Sequence, residues 1–326
     1  MTLFPDRDAI ERATRALALE PGLAAALLAS ARPTLWLRRA EPVADADLPP
    51  GASKVGGEPD LPPGLAWPER PPLDAMQAAE AARGLAAVGE WEAKARVQAD
   101  LGRAVPLAFL AQIDLAAMAA APGFDPALPD RGHLWAFHDV HAALTGPLPP
   151  DGGIRLLWSE AGGLARRATP QAVREAYALG IADFGFPASE PWGASMLAEP
   201  LSPVSGWTVS PRLDRAAYHA LEDERFQMED AGGDQLGGWE VPIQRSMQGE
   251  AELMATGADP RDADWGHAPA VLRAGERWRH VLTVDGETYL ERLMTTWGDG
   301  SMYMFAEEGA LAGRDLGRAV GVSQMT

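Results

Sequence analysis

"PLAFLAQIDL", at Pro106–Leu115, is the stretch that decides the fold of this chain. It is an almost uninterrupted apolar run of strand length, which is typical of a strand buried on both faces. A second strand-like run, "WRHVLTVD" at Trp278–Asp285, occupies a comparable place in the second half of the sequence. Each run contains an aspartate at its end, Asp114 or Asp285, and each is followed by a Gly-containing turn and an aromatic strand. We therefore expect two β-rich units in one chain.

The spacing of these features indicates an internal repeat. Asp285 follows Asp114 by 171 residues (285 − 114), and Gly300, at the second turn, follows Gly132 by 168 residues (300 − 132). A Gly/Pro-rich segment precedes the strand in each half. Two anchors that agree within three residues favour a duplication of one β-rich unit.

The remaining pattern completes an α+β prediction with twisted, mostly antiparallel sheets and peripheral helices. Apolar periodicity from Asp6 to about Ser30, interrupted at Pro21, predicts two short helices. A short helix is predicted to end at Gly180. The stretch that follows it, up to about Ser210, is rich in Pro and Trp, and we predict that it is a connection. The predicted segments are an N-terminal helical segment at 1–32, a duplicated domain at 33–306 with halves at 33–165 and 205–306 joined by a helical connection, and a C-terminal tail at 307–326.

Composition and net charge limit the cellular compartment and the classes of binding partner that we expect. The chain has 326 residues, is 47% hydrophobic, contains no cysteine and carries a formal net charge of −18. A surface of this charge repels nucleic acid and anionic membranes, so we expect neither as a partner. The run at Leu23–Ala31 is far shorter than the roughly 20 residues that cross a bilayer, and acidic residues stand where a signal peptide needs basic ones. We expect a soluble cytoplasmic protein without a cofactor.

Five motifs, in this order, carry a resemblance to a known family: "SKVGGEPDLP", "FLAQIDL", "LPDRGHLWAF", "GGWEVPIQ" and "WGDGSMYMF". They span about residues 33–306, and the chain resembles the YwqG-like family of bacterial proteins, a domain of unknown function. The resemblance implies a single α+β fold with twisted antiparallel sheets and internal duplication, and it implies no established reaction. The chain departs from the family in its Ala-rich helix at 73–102 and in "GGDQLGG", where family members often carry a histidine.

The Gly pair in "SKVGGEPDLPPGLAWP", at Ser53–Pro68, allows two interpretations. Adjacent glycines can cradle a phosphate when a helix starts directly after them. Here acidic residues and prolines follow, which repel phosphate and keep the chain extended. The structural interpretation is therefore favoured, with Leu61, Leu65 and Trp67 packed on the sheet. Lys54 is expected to form a salt bridge, with Asp114 as the suggested partner.

Motifs for metals and nucleophiles match poorly. His133, His138 and His141 fit no zinc spacing, and the acidic turn at Asp259–Asp264 lacks the glycine and the distant glutamate of an EF-hand. The segment around Ser195 lacks the second glycine of a nucleophile elbow. We therefore predict no metal site.

Binding is the predicted function, and its ligand is an unknown small molecule, peptide or protein. A cleft between duplicated halves is a natural site, because side chains from both halves converge there. Tryptophans concentrated in the second half predict either core packing or an aromatic groove. The alternative is an acid/base enzyme such as a hydrolase that uses Asp114 and Asp299. The predicted site residues are Lys54, Gln112, Asp114, Gln244, Trp297 and Asp299.

Overall fold

The computed structural model describes residues 4–87, 93–139, 153–176, 197–223, 233–244, 247–258, 269–285 and 300–325. The strands are β1 (Arg32–Arg39), β2 (Lys54–Gly56), β3 (Asp60–Leu61), β4 (Glu69–Arg70), β5 (Val105–Pro106), β6 (Ala108–Asp114), β7 (His133–His138), β8 (Ile154–Ser159), β9 (Ala165–Arg166), β10 (Ala198–Thr208), β11 (Asp234–Leu236), β12 (Trp278–Asp285), β13 (Gly300–Glu307) and β14 (Val320–Met325). The α-helices with assigned bounds are Arg7–Ala16, Pro21–Ser30, Ala75–Ala87, Ala93–Asp100, Leu115–Ala119, Arg215–Asp223, Met247–Ala255, Pro269–Ala274 and Glu308–Ala312.

Ten strands form one antiparallel sheet in the order β14-β13-β12-β11-β1-β10-β2-β6-β7-β8. The sheet curls toward a barrel, so that its edge strands β8 and β14 approach each other. A side chain on Gly321 of β14 would collide with Ile154 of β8, with 2.1 Å between the Cβ position and Cγ1. The inner face holds the main apolar core, to which residues such as Leu35, Leu110 and Met304 belong. The prediction of a β-rich, mostly antiparallel fold is confirmed.

β1 and β10 form the long central pair of the sheet, antiparallel over the whole of β1. β11 adds to β1 at Leu35–Leu37, and β2 adds to β10 at Ala198–Pro200. These attachment points lie on opposite sides of the pair formed by Arg38 and Ser202. The first strand group (β2, β6, β7 and β8) and the second strand group (β11, β12, β13 and β14) therefore extend from opposite ends of the central pair.

Both strand groups contain an irregularity at the same place. The register between β6 and β7 shifts between Phe109 and Ala111, and the register between β12 and β13 shifts between His280 and Leu282. Each bounding residue has its counterpart 171 positions later (280 − 109 and 282 − 111). A β-bulge bends a strand and strengthens its twist, so the two groups bend at equivalent positions.

A Gly-Gly corner follows the first strand of each group. The first corner is Gly56–Gly57, with φ of +73° and +71°, and the second corner is Gly237–Gly238, with φ of +70° and +73°. Only glycine adopts this left-handed backbone without strain. The sequence-based interpretation of the first Gly pair as a backbone device agrees with these angles.

The central strand β10 lies in the stretch that the sequence predicted as a connection, and that prediction was wrong. Pro200 and Pro203 misled it, since proline cannot donate to a strand ladder. Pro203 faces Leu37 of β1 and lies beyond the three residues that pair with β2, so its second side has no ladder to complete. Proline is tolerated where a strand has a neighbour on one side only.

Helices and loops cover the outer face of the sheet. Arg7–Ala16, Pro21–Ser30 and Arg215–Asp223 form one apolar layer, and Met247–Ala255 packs on β12, β13 and β14. The loop after the first corner packs Leu61, Leu65 and Trp67 on β6 and β7, as expected. Residues 307–326, set apart from the sequence as a tail, contain a helix and the edge strand β14. None of the helices in the described ranges has the length and apolarity needed to cross a bilayer.

Candidate functional site

Arg39 is the centre of a charged cluster between the two strand groups. Period-2 alternation places it on the same face of β1 as Leu35 and Leu37, but at the strand end. Its guanidinium donates to Asp234 Oδ1 at 2.7 Å, to Glu199 Oε2 at 2.9 Å and to the carbonyl of Asp285 at 2.8 Å. We call Arg39, Glu199, Asp234 and Asp285 the Arg39 cluster, because they join β1, β10, β11 and β12.

The Arg39 cluster is largely withdrawn from water. The side chain of Arg39 is 11% exposed, and those of Glu199 and Asp234 are 5% and 1% exposed. Burial lowers the pKa of Arg39, but Asp234 and Glu199 raise it by more, so that the pKa lies above its usual range. A paired and hydrogen-bonded charge is tolerated at such a position, whereas an isolated one is costly.

The first strand group has a neutral counterpart of part of this cluster. The backbone N–H of Asp285 donates to Asp234 Oδ1 at 2.8 Å, and the backbone N–H of Asp114 donates to Ser53 Oγ at 2.9 Å. Ser53 thus takes the position that Asp234 holds in the second group. At this pair of strand ends a hydroxyl replaces a carboxylate, so the charged groups of the junction lie on the side of the second strand group.

Lys54 is buried at the first corner and does not line a solvated cleft. Its side chain is 0% exposed, and Nζ donates to Asp45 Oδ1 and to the carbonyl of Glu58, both at 2.5 Å. Burial lowers the pKa of Lys54 despite the opposing effect of Asp45. The suggested partner Asp114 was wrong, because the turn at Asp45–Asp47 folds over β2 and supplies the carboxylate. Asp45 also accepts from the backbone N–H of Glu58, which ties the corner together.

Gln112 is fully committed to neighbouring groups beneath the first corner. Its Oε1 accepts from the backbone N–H of Asp60 at 2.8 Å and from Trp135 Nε1 at 3.0 Å. Its Nε2 donates to the carbonyl of Ala52 at 2.9 Å and to Asp60 Oδ2 at 3.1 Å. Arg166 donates to Asp60 Oδ1 at 2.7 Å. Burial raises the pKa of Asp60, but the bonds from Arg166 and others outweigh it and lower the pKa.

The other predicted site residues are spread over the molecule. Asp114 is the N-cap of the helix Leu115–Ala119, where Oδ1 accepts from the N–H groups of Ala116 and Ala117. The backbone N–H of Gln244 donates to Gln324 Oε1 at 2.9 Å, far along the chain from the first corner. Trp297 and Asp299 lie outside the described residues, so the hydrolase hypothesis that pairs Asp299 with Asp114 stays a prediction.

The second corner holds a network of neutral groups and a buried ion pair, in which Asp125 accepts from the Gly238 N–H at 3.0 Å and from Arg279 at 3.0 Å. Gln235 Nε2 donates to Thr34 Oγ1 at 3.1 Å and to the carbonyl of Trp239 at 2.7 Å. His280 is 3.0 Å from the Gly237 carbonyl through Nδ1 and 2.7 Å from Thr283 Oγ1 through Nε2. Burial lowers the pKa of His280 to about 4, so the imidazole is neutral at pH 7.

Glu240 follows directly after this corner and is also buried, at 1% exposed. Its Oε2 accepts from Gln248 Nε2 at 2.6 Å. Burial raises the pKa of Glu240 to about 7, because few bonds offset the loss of hydration.

The tryptophans of the second half that the structure describes are partly engaged in packing. Trp239 Nε1 donates to the carbonyl of Ser30 at 2.7 Å, and Trp278 Nε1 donates to Glu252 Oε2 at 2.9 Å. The guanidinium of Arg32 stacks on the ring of Trp239 at 3.5 Å from its centroid. These contacts are those of core tryptophans whose N–H groups find partners.

Metal-ligating side chains do not gather in the part of the chain that the structure describes: it contains no group of three or more such residues. His133 and His138 stand at opposite ends of β7. His141 and the turn at Asp259–Asp264 lie outside the described residues.

One family model matches this chain, the domain of unknown function DUF1963, over residues 53–324. The match covers most of the sequence and includes both strand groups. The chain belongs to the DUF1963 family. No curated protein matches this DUF1963 protein.

Sequence reasoning missed the Arg39 cluster and Glu240. The signal for Arg39 was present, since a charged residue continues the alternating apolar face of Leu35 and Leu37. Glu199 was hidden because its strand was taken for a connection. Asp234 lies within "GGDQLGG", which was noted only for the histidine that it lacks.

Proposed function

We propose that this DUF1963 protein is a binding protein whose site is the Arg39 cluster and whose ligand carries a positive charge. The ligand class is an amine, a guanidinium compound or a basic peptide segment. The proposal keeps the expected place of the site, between the two strand groups, and replaces the predicted corner residues Lys54 and Gln112 with the Arg39 cluster.

The observation that carries the proposal is that one arginine binds two carboxylates and the backbone carbonyl of a third acidic residue. Glu199, Asp234 and Asp285 come from three different strands, and Arg39 holds the first two in place. Each carboxylate has about four lone-pair positions, so it can accept from a ligand N–H while it remains bound to Arg39. Asp285 is half-buried and thus reachable from solvent.

The charge of the whole chain supports the same ligand class. A formal net charge of −18 attracts cations over long range and raises their local concentration. Complementary charge contributes more to the association rate and to selectivity than to affinity. A cationic ligand should therefore bind faster at low ionic strength.

A thermal-shift screen tests this proposal. We expect amines or basic peptides to raise the melting temperature, whereas neutral and acidic compounds of similar size do not. Asp285→Asn should weaken the shift, and the matched control Asp114→Asn, at the equivalent strand end of the first group, should retain it. The proposal fails if no cationic compound stabilises the protein, or if both variants lose the shift equally.

We further propose that the two strand groups are copies of one ancestral unit, as in the YwqG-like family that the motifs resemble. The support is the same strand order outward from the central pair, the equivalent bulges and the matching Gly-Gly corners. We also propose a cytoplasmic location, which the cysteine-free composition supports.

A further inference from the structure

Glu240 lies between the second corner and the helix Met247–Ala255. The helix packs Met247, Ala251 and Met254 against Tyr303 and Phe305 of β13, among other residues. The bond from Gln248 Nε2 to Glu240 Oε2 is the polar tie between the first turn of this helix and the corner. The carboxyl of Glu240 is therefore part of the interface that holds the helix on the sheet.

Only one oxygen of this carboxyl is satisfied. Within the described part of the chain, Glu240 Oε1 is buried and has no hydrogen-bond partner. A protonated carboxyl tolerates this position, because it carries no net charge. A carboxylate there would be a buried charge stabilised mainly by Gln248 and by its own backbone N–H, which is strongly unfavourable.

The charged groups that face Glu240 do not neutralise it. Among the described residues they are Arg32 on β1 and Arg212 before the helix Arg215–Asp223, and both act only at a distance. Arg32 stacks on Trp239, and Arg212 pairs with Glu276 at 3.7 Å. The hydroxyl of Tyr303 donates to the Val241 carbonyl, and burial raises the pKa of this phenol, so it stays neutral.

We propose that Glu240 is a pH-sensitive latch: the protonated side chain lets the helix Met247–Ala255 stay docked at the second corner, and its ionisation loosens the helix. The raised pKa of about 7 puts this change within the ordinary range of cellular pH. Because the folded pKa is above the ordinary value of 4.5, the stabilisation is complete below pH 4.5 and is lost as pH rises through about 7.

Hydrogen exchange of the full chain, followed by mass spectrometry and corrected for intrinsic rates, tests the latch. Between about pH 5 and about pH 8, protection of the peptide that covers Met247–Ala255 should fall by at least about tenfold in the natural protein. Protection of Arg215–Asp223 should change far less. Glu240→Gln should remove the pH dependence, because the amide cannot ionise.

Two further variants keep the test decisive. Glu252→Gln, on the same helix, should retain the natural pH profile, because Glu252 bonds Arg277 and Trp278 at the edge of the helix. Glu240→Met replaces Glu240→Gln if the latter does not fold. The latch is refuted if the natural protein shows a flat profile over this peptide, or if the variant at Glu240 and the natural protein share one profile.

Discussion

The two Gly-Gly corners have the same backbone but different buried side chains. At the first corner, Lys54 of β2 faces Gln112 of β6; at the second, Gln235 of β11 faces Thr283 of β12. The first corner buries an ammonium, two carboxylates and a guanidinium in mutual contact. The second corner buries amide, hydroxyl and imidazole groups around an ion pair, that of Asp125 with Arg279. The left-handed Gly pair is therefore set by the path of the chain, whereas the side chains below it differ between the corners.

This comparison separates architecture from function. Side chains that occur at only one corner, and whose hydrogen bonds are made within it, stabilise that corner. The Arg39 cluster faces the boundary between the strand groups, and its counterpart in the first group is only partial and neutral, since Ser53 stands where Asp234 does. The site of action is therefore expected at the junction rather than at either corner.

The largest expected difference between the corners is the effect of removing their central side chain. Lys54→Met removes the closer of the two cations beside Asp45 and leaves Arg166 at 3.5 Å, which should lower the free energy of unfolding by about 3 kcal/mol. Gln235→Met removes only neutral hydrogen bonds and should cost about 1–3 kcal/mol. Urea denaturation measures both. Equal losses would show that the buried ion pair does not distinguish the corners.

The corners should also respond to acid in different pH ranges. His280 has a folded pKa of about 4 against an ordinary value of 6.5, so its contribution is present above pH 6.5 and is lost as pH falls through about 4. This loss should amount to about 3 kcal/mol. The pKa of Asp60 at the first corner is lowered from 3.8, so its contribution is lost only below that value.

Unfolding measured from pH 7 down to about pH 4 checks this prediction. His280→Gln should flatten the acid response over this interval, and the experiment is best done with Glu240→Gln in both proteins, since Glu240 titrates in the opposite sense. An unchanged slope in the His280 variant would contradict the assignment.

Much of the fold could be predicted because apolar periodicity marks it directly. The buried run ending at Asp114 and the aromatic strand after Gly132 lie where the pattern puts them. β10 was missed because it contains two prolines, which normally argue against a strand. Whether a strand tolerates proline depends on which neighbouring strands it pairs with. That information is tertiary and is absent from local sequence.

The candidate site was harder to predict for a similar reason. Lys54, Gln112 and Asp114 were selected for their motifs, but their roles depend on partners such as Asp45 and Asp60 that only the folded chain brings near. Arg39 and Asp234 are 195 positions apart in the sequence and become neighbours through the pairing of β1 with β11. No local pattern signals such a contact.

Gly57→Ala and Gly238→Ala test whether both corners are one backbone device. Both glycines have positive φ, and an added Cβ would lie 2.6 Å from Asp45 Oδ1 at Gly57 and 2.7 Å from Thr208 Oγ1 at Gly238. Each variant should lose about 1–3 kcal/mol of unfolding free energy, by similar amounts. Gly162→Ala is the control, since open space surrounds its Cβ position. A substantial loss at one corner together with a control-like result at the other would contradict the claim.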